Sequence, residues 1–242
     1  MKKLIIMGAV IATALTLLGN TAFAAGTSKR LQYDTCTSGD SIGWARGNDS
    51  PLDGNHQALL AVVGSGGCAE AFSFGSGIEG KNVADVKNLS FDFLTADAVG
   101  HGGLPRISVI LRDTNGTGAV HIAYLGAGSE PPYCGEQIGT SDWSRADFTG
   151  RTTAGCTLYD ENGVAYTSNG VLSAWGVYAA AHPDYQVVQA NDSVFGGGPG
   201  AGAFLVMDEA GTYHADRLAI QNHMWIRNRP QYVQNCPTEA SC

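Results

Sequence analysis

Asn88-Leu-Ser-Phe-Asp-Phe-Leu-Thr95 decides the fold class. In an extended chain Leu89, Phe91 and Phe93 share one face, while Ser90 and Asp92 take the other. That period of two marks a strand with one face buried and one face wet. The alternation returns in Arg106–Arg112, where Ile107, Val109 and Leu111 oppose Arg106, Ser108 and Arg112, and again at Val120, Ile122 and Tyr124. Between strand-like runs stand three similar turns, Asp113-Thr-Asn-Gly116, Asp160-Glu-Asn-Gly163 and Asp208-Glu-Ala-Gly211. Asp bonds backbone amides just ahead of it, and Gly accepts the positive φ that closes a turn. They predict three β-hairpins, over 106–125, 155–168 and 203–220. Helix is scarce: the best candidate is Val171–His182, stopped by Pro183 and equally readable as a strand. With 33 Gly and many short strands, the expected class is all-β, a two-sheet antiparallel β-sandwich.

The segments around these strands set the compartment. Lys2, Lys3, an apolar run from Leu4 to Leu18 and Ala22-Phe23-Ala24 read as a signal peptide over 1–24, cleaved before Ala25. The run of 15 residues falls short of the roughly 20 that a bilayer core requires. Residues 25–242 are then one secreted domain of bacterial type, or a periplasmic one if the source has an outer membrane, with no span after cleavage. Removing Lys2 and Lys3 takes the net charge from −8 to −10. An acidic surface repels phosphate backbones and anionic lipid, so nucleic acid and membrane surfaces are not the expected partners. Cys36, Cys68, Cys134, Cys156, Cys236 and Cys242 are even in number and all follow the signal, which predicts disulfides. Sequential pairing, 36–68, 134–156 and 236–242, closes the most local loops. No CxxC occurs, and no His stands at ligand spacing from a Cys, so zinc is the weaker reading.

Two motifs invite a catalytic reading and fail on context. Gly39-Asp-Ser-Ile-Gly43 matches the nucleophile elbow G-x-S-x-G, but no helical run follows Ser41. A turn flanked by a disulfide explains it better. Gly75-Ser-Gly-Ile-Glu-Gly80 matches a dinucleotide loop, yet Lys81–Val86 is too short for the helix whose N-terminus would face the pyrophosphate. Asp113-x-Asn115 resembles the start of a calcium loop without its later acidic ligands. No cofactor is expected, a structural calcium aside. His121 and His214 are placed in strands that could meet at a metal, although surface histidines are the commoner outcome. Asp216 shares parity with Leu218 and Ile220, so its carboxylate is expected to face inward and to pair with Arg106, Arg112 or Arg217.

What remains is aromatic. Flat rings stack on the C–H faces of sugars while nearby Asp, Asn and Arg bond the hydroxyls. Pro131-Pro-Tyr-Cys134 and Ser141-Asp-Trp-Ser-Arg145 are polar and loop-like, so Tyr133 and Trp143, with Arg145 beside and Trp44 elsewhere, are the candidate ligand contacts. Asn88–Phe93, Pro105–Leu111 and the closing Gly211-Thr-Tyr-His-Ala-Asp-Arg-Leu-Ala-Ile220 resemble secreted β-sandwich modules of the jelly-roll, carbohydrate-binding kind. The resemblance implies a jelly-roll-like sandwich with long disulfide-bonded loops, and a non-catalytic domain binding an extracellular glycan or a cell-surface partner. A polysaccharide hydrolase or lyase and a surface-assembly protein are the alternatives. Paired carboxylates across a groove would favour the enzyme, an aromatic strip without them the binder, and an exposed apolar patch or free edge strand the assembly.

Overall fold

The computed structural model describes residues 31–46, 57–73, 76–98, 104–128, 134–138, 142–150, 156–189, 201–226 and 229–232. Residues 1–24, read above as a signal peptide, and Tyr133, Cys236 and Cys242 lie outside the described residues. In chain order the strands begin β1 (Leu31–Thr35), β2 (Ser41–Arg46), β3 (Gln57–Val63), β4 (Ala69–Ser73) and β5 (Ser90–Leu94). Then come β6 (Arg106–Asp113), β7 (Val120–Gly126), β8 (Glu136–Gln137), β9 (Trp143–Asp147), β10 (Thr157–Asp160) and β11 (Ala165–Thr167). Helix α1 (Ala174–Ala181) precedes β12 (Tyr185–Val187), β13 (Ala203–Met207), β14 (Gly211–Ile220), β15 (His223–Ile226) and β16 (Arg229–Tyr232).

These strands form two antiparallel sheets, open rather than closed into a barrel. The first runs β1-β4-β13-β6-β7-β10-β11, with β12 beside the far end of β6. The second runs β16-β15-β14-β5-β9-β8, with β3 and then β2 beside the first half of β14. The alternation that predicted the class also builds the core. Leu89, Phe91 and Phe93 meet Ile107, Val109 and Leu111 between the sheets, all fully buried. Each such side chain contributes about 1.5–3 kcal/mol by leaving water. The outer face of the first sheet is not simply wet. Ile110, Ile122, Phe72, Phe204 and Val206 form a second buried cluster there, with Phe72 and Phe204 stacked 4.8 Å apart.

Two of the three expected hairpins form. β6 pairs with β7 and β10 with β11, and in both turns the Asp carboxylate accepts the amides ahead of it. The third is a correction. β13 belongs to the first sheet and β14 to the second, so Asp208–Gly211 carries the chain across the sandwich instead of folding it back. The Asp-x-x-Gly chemistry turns the chain but does not specify which sheet the next strand joins. Val171–His182 settles as helix from Ala174, with Ser173 Oγ accepting from the Gly176 amide at 3.1 Å. Ala174, Trp175, Tyr178 and Ala179 are its buried residues, and Trp175 Nε1 donates to the Val83 carbonyl at 2.8 Å.

Cys36–Cys68 and Cys134–Cys156 are disulfide-bonded, as sequential pairing predicts, with Cα atoms 4.9 and 4.3 Å apart. Gly39-Asp40-Ser41 is the turn between Cys36 and β2, not an elbow. Asp40 takes amide protons from Thr37, Gly64 and Cys68 at 3.0, 2.8 and 3.0 Å. Those donors hold its carboxyl below the ordinary range, the Gly64 amide most strongly. Gly135, at φ +126°, lies so close to β9 that a Cβ would stand 2.2 Å from the Arg145 carbonyl oxygen. Only glycine fits beside Cys134.

Candidate functional site

Among the described residues, the expected ligand contacts Trp44, Trp143 and Arg145 do not form one site. Trp44 pairs with Leu59 across β2 and β3, and its half-buried ring packs on the inner core. Trp143 lies in a strand, which corrects the loop-like reading of Ser141–Arg145, and it is 3% exposed. Paired strands explain the difference: β9 lies between β5 and β8, so its polar sequence lines a sheet. Arg145 extends from the same face of β9 and donates through Nε to Asp92 Oδ1 at 2.9 Å.

Asp92 is the centre of an ionic cluster on the outer face of the second sheet. It is fully buried, with Arg145 on one oxygen and Arg217 Nε on the other. Asp216 stands directly opposite Asp92 on β14 and is 2% exposed. This outer-face position is a second correction, since parity predicted that Asp216 faces inward. Ala215 and Leu218 both face the core, so a bulge at Asp216–Ala219 absorbs the extra residue and reverses the parity that had grouped Asp216 with Leu218. Arg217 takes φ +43° in that bulge and aims its guanidinium at Asp92, while its amide donates to Asp216 at 2.7 Å. Two adjacent carboxylates are thus present, but one is sealed beneath two guanidiniums. That arrangement suits a structural network better than glycosidic acid–base chemistry, which requires both carboxyls to reach a substrate.

The first sheet carries a different arrangement. Register aligns Phe72, Phe204, Ser108, Tyr124 and Tyr159 in one row across β4, β13, β6, β7 and β10. Burial falls along it: Phe72 and Phe204 are covered, Tyr124 is half-buried and Tyr159 is 46% exposed. The next row holds Glu70 and Arg106. The Arg106 guanidinium lies 5.2 Å from the Tyr124 ring centroid and pairs with Asp208. Burial raises the Tyr124 hydroxyl above its ordinary pKa and does the same to the Glu70 carboxyl. In the sequence Tyr124 stands out only by its strand alternation, and Tyr159 does not stand out at all. Its signal was available: in Thr157-Leu-Tyr-Asp160, Leu158 turns inward and Tyr159 must turn out.

Histidines and tyrosines gather where α1 meets β11 and β12. Tyr185 stacks between His121 and His182, each ring centroid 4.6 Å from it. The Tyr166 hydroxyl lies 2.8 Å from His182 Nε2, and His121 Nδ1 bonds Glu161. Burial lowers the His182 pKa. His214 is bound to Asp97 on the other sheet, so it does not meet His121. Among the described residues no group of three or more His, Cys, Asp or Glu is placed to hold a metal, and Asp113 Oδ1 is occupied by its own turn. No helix of the described residues is long and apolar enough to cross a membrane.

No protein-family model, curated protein or solved structure matches this chain.

Proposed function

We propose that this chain is an exported, non-catalytic binding domain for an extracellular glycan, and that Tyr159, Tyr124 and Arg106 form the platform. The aligned aromatic row carries the reading. Tyr159 offers ring area to the C–H face of a sugar, while Arg106, against the neighbouring Tyr124 ring, and its partner Asp208 suit hydroxyl donors and acceptors. The row is held by the sheet itself, which leaves little ordering to be done on binding. Two disulfides fit an oxidising compartment and agree with export through the segment 1–24.

A glycan array followed by titration tests it. Tyr159→Ala should weaken the best glycan about tenfold, the loss of one good interfacial ring, with an unchanged melting temperature. No binding to any glycan, or full binding by Tyr159→Ala, would overturn the reading. The enzyme alternative has one observation in its favour, the Tyr166–His182 contact. It predicts shortened products when the same glycans are incubated with the protein.

A further inference from the structure

On elements separate from the aromatic row, a groove of about 830 Å3 opens between α1 and the segment that leads into β5. Its apolar lining includes Val86, Leu172 and Ala179, and its polar lining includes Lys87, Asn88 and Asp147. That volume is within the range of ligand sites, roughly 300–1,000 Å3. Small residues on α1 make the space: Gly176, Ala179 and Ala180 face it where larger side chains would fill it.

The wall is rigid before any ligand arrives. Gln221 clamps it with four bonds: its amide to the Lys87 carbonyl, Oε1 from the Lys87 amide, Nε2 to the Asp85 carbonyl, and its own carbonyl from Asn88 Nδ2. Asn88 and Gln221 both adopt left-handed backbone, at φ 52° and 60°, a strained state that persists only where surroundings enforce it. On β9, next to that segment, Asp147 Oδ1 is held by the Thr149 amide, the Thr149 hydroxyl and the Gly150 amide. Lys87 is exposed and has no ion-pair partner among the described residues, although acids outnumber bases in this chain.

We infer that the groove binds a carboxylated sugar unit, its carboxylate on Lys87, its hydroxyls on Asp147 and Asn88, and its ring against Val86 and Leu172. The inference rests on the glycan reading but uses none of the platform residues. A wall of apolar carbons broken by amide and carboxylate groups fits the alternating faces of a sugar. An unpaired ammonium beside it selects the acidic form, because a charge-assisted bond is roughly twice as strong as a neutral one.

The test titrates the full chain with an α-1,4-linked galacturonate trisaccharide and with its carboxyl-reduced, neutral counterpart. The acidic sugar should bind on the order of tenfold more tightly at about 0.15 M salt, where repulsion from the acidic surface away from Lys87 is screened. Lys87→Gln should remove that preference, and Ala180→Trp, an exposed position that fills the groove, should remove acidic binding. Tyr159→Ala should leave the acid-to-neutral ratio unchanged, which separates failure of the groove from failure of the platform. Near-UV circular dichroism confirms that each variant is folded. Equal affinities, binding of neither sugar, or a preference that survives both groove variants would overturn the inference.

Discussion

Asp40 illustrates how much one side chain can organise and how little of it the sequence displays. Its motif context suggested only a turn, and the turn is there. Legible nowhere was that its oxygens would also reach Gly64 and Cys68, more than twenty residues on. The sign of its pH effect follows from the direction of the shift. The folded carboxyl titrates below the unfolded one, so its contribution is complete above the unfolded value and fades as pH falls through the folded value. Melting temperatures of wild type and Asp40→Asn should therefore differ most near neutrality and converge in acid, where the wild-type carboxyl is protonated. A constant difference down to pH 2 would contradict this. Phe91 and Asp216 mark the boundary of such reading at this scale. Parity located Phe91 correctly, because β5 is regular. It misplaced Asp216, because a bulge adds one residue without a composition signal.

Strands and turns were legible where their signals are local. The Asp113 and Asp160 turns close hairpins because each is followed by a strand that pairs with the one before. Asp208 follows the same local rule, yet its strands part, since β13 finds its partners in β4 and β6. The central strand β5 combines both lessons, with core phenylalanines on one face and Asp92 on the other. Removing one arginine from Asp92 should expose how that face is held. Arg145→Ala leaves a fully buried carboxylate with less compensation and should cost about 1.5–3 kcal/mol, the usual loss for a charged hydrogen bond. In an Asp92→Asn background the same change should cost clearly less, because the charge to be compensated is gone. Urea unfolding of the four proteins measures the coupling. Additive losses would mean that Arg145 contributes packing alone.

At the scale of the whole molecule, the disulfides join places where the chain changes sheet. β1 and β4 belong to the first sheet and β2 and β3 to the second, so the chain crosses after β1 and returns after β3. Cys36 sits in the first crossing and Cys68 in the return; the Cys36 amide also donates to the Cys68 carbonyl at 3.1 Å. The same plan recurs at β7 and β10 with β8 and β9 between them, tied by Cys134 and Cys156. Local spacing was enough to predict both pairings. Their purpose was hidden, because sheet membership depends on contacts far along the chain. Each bridge closes a loop of 32 or 22 residues and should contribute about 2–4 kcal/mol by restricting the unfolded chain. Each also fastens only its own excursion. Replacing Cys36 and Cys68 with Ser should therefore lower overall stability by that amount and raise amide exchange most at the β1–β2 and β3–β4 connections. The amides shared by β6 and β7 should open only with global unfolding. Replacing Cys134 and Cys156 should shift the weakened region to the connections flanking β8 and β9. If both variants loosened the same amides, the two bridges would be acting on the sandwich as one body, and the pairing of crossings would have no separate mechanical role.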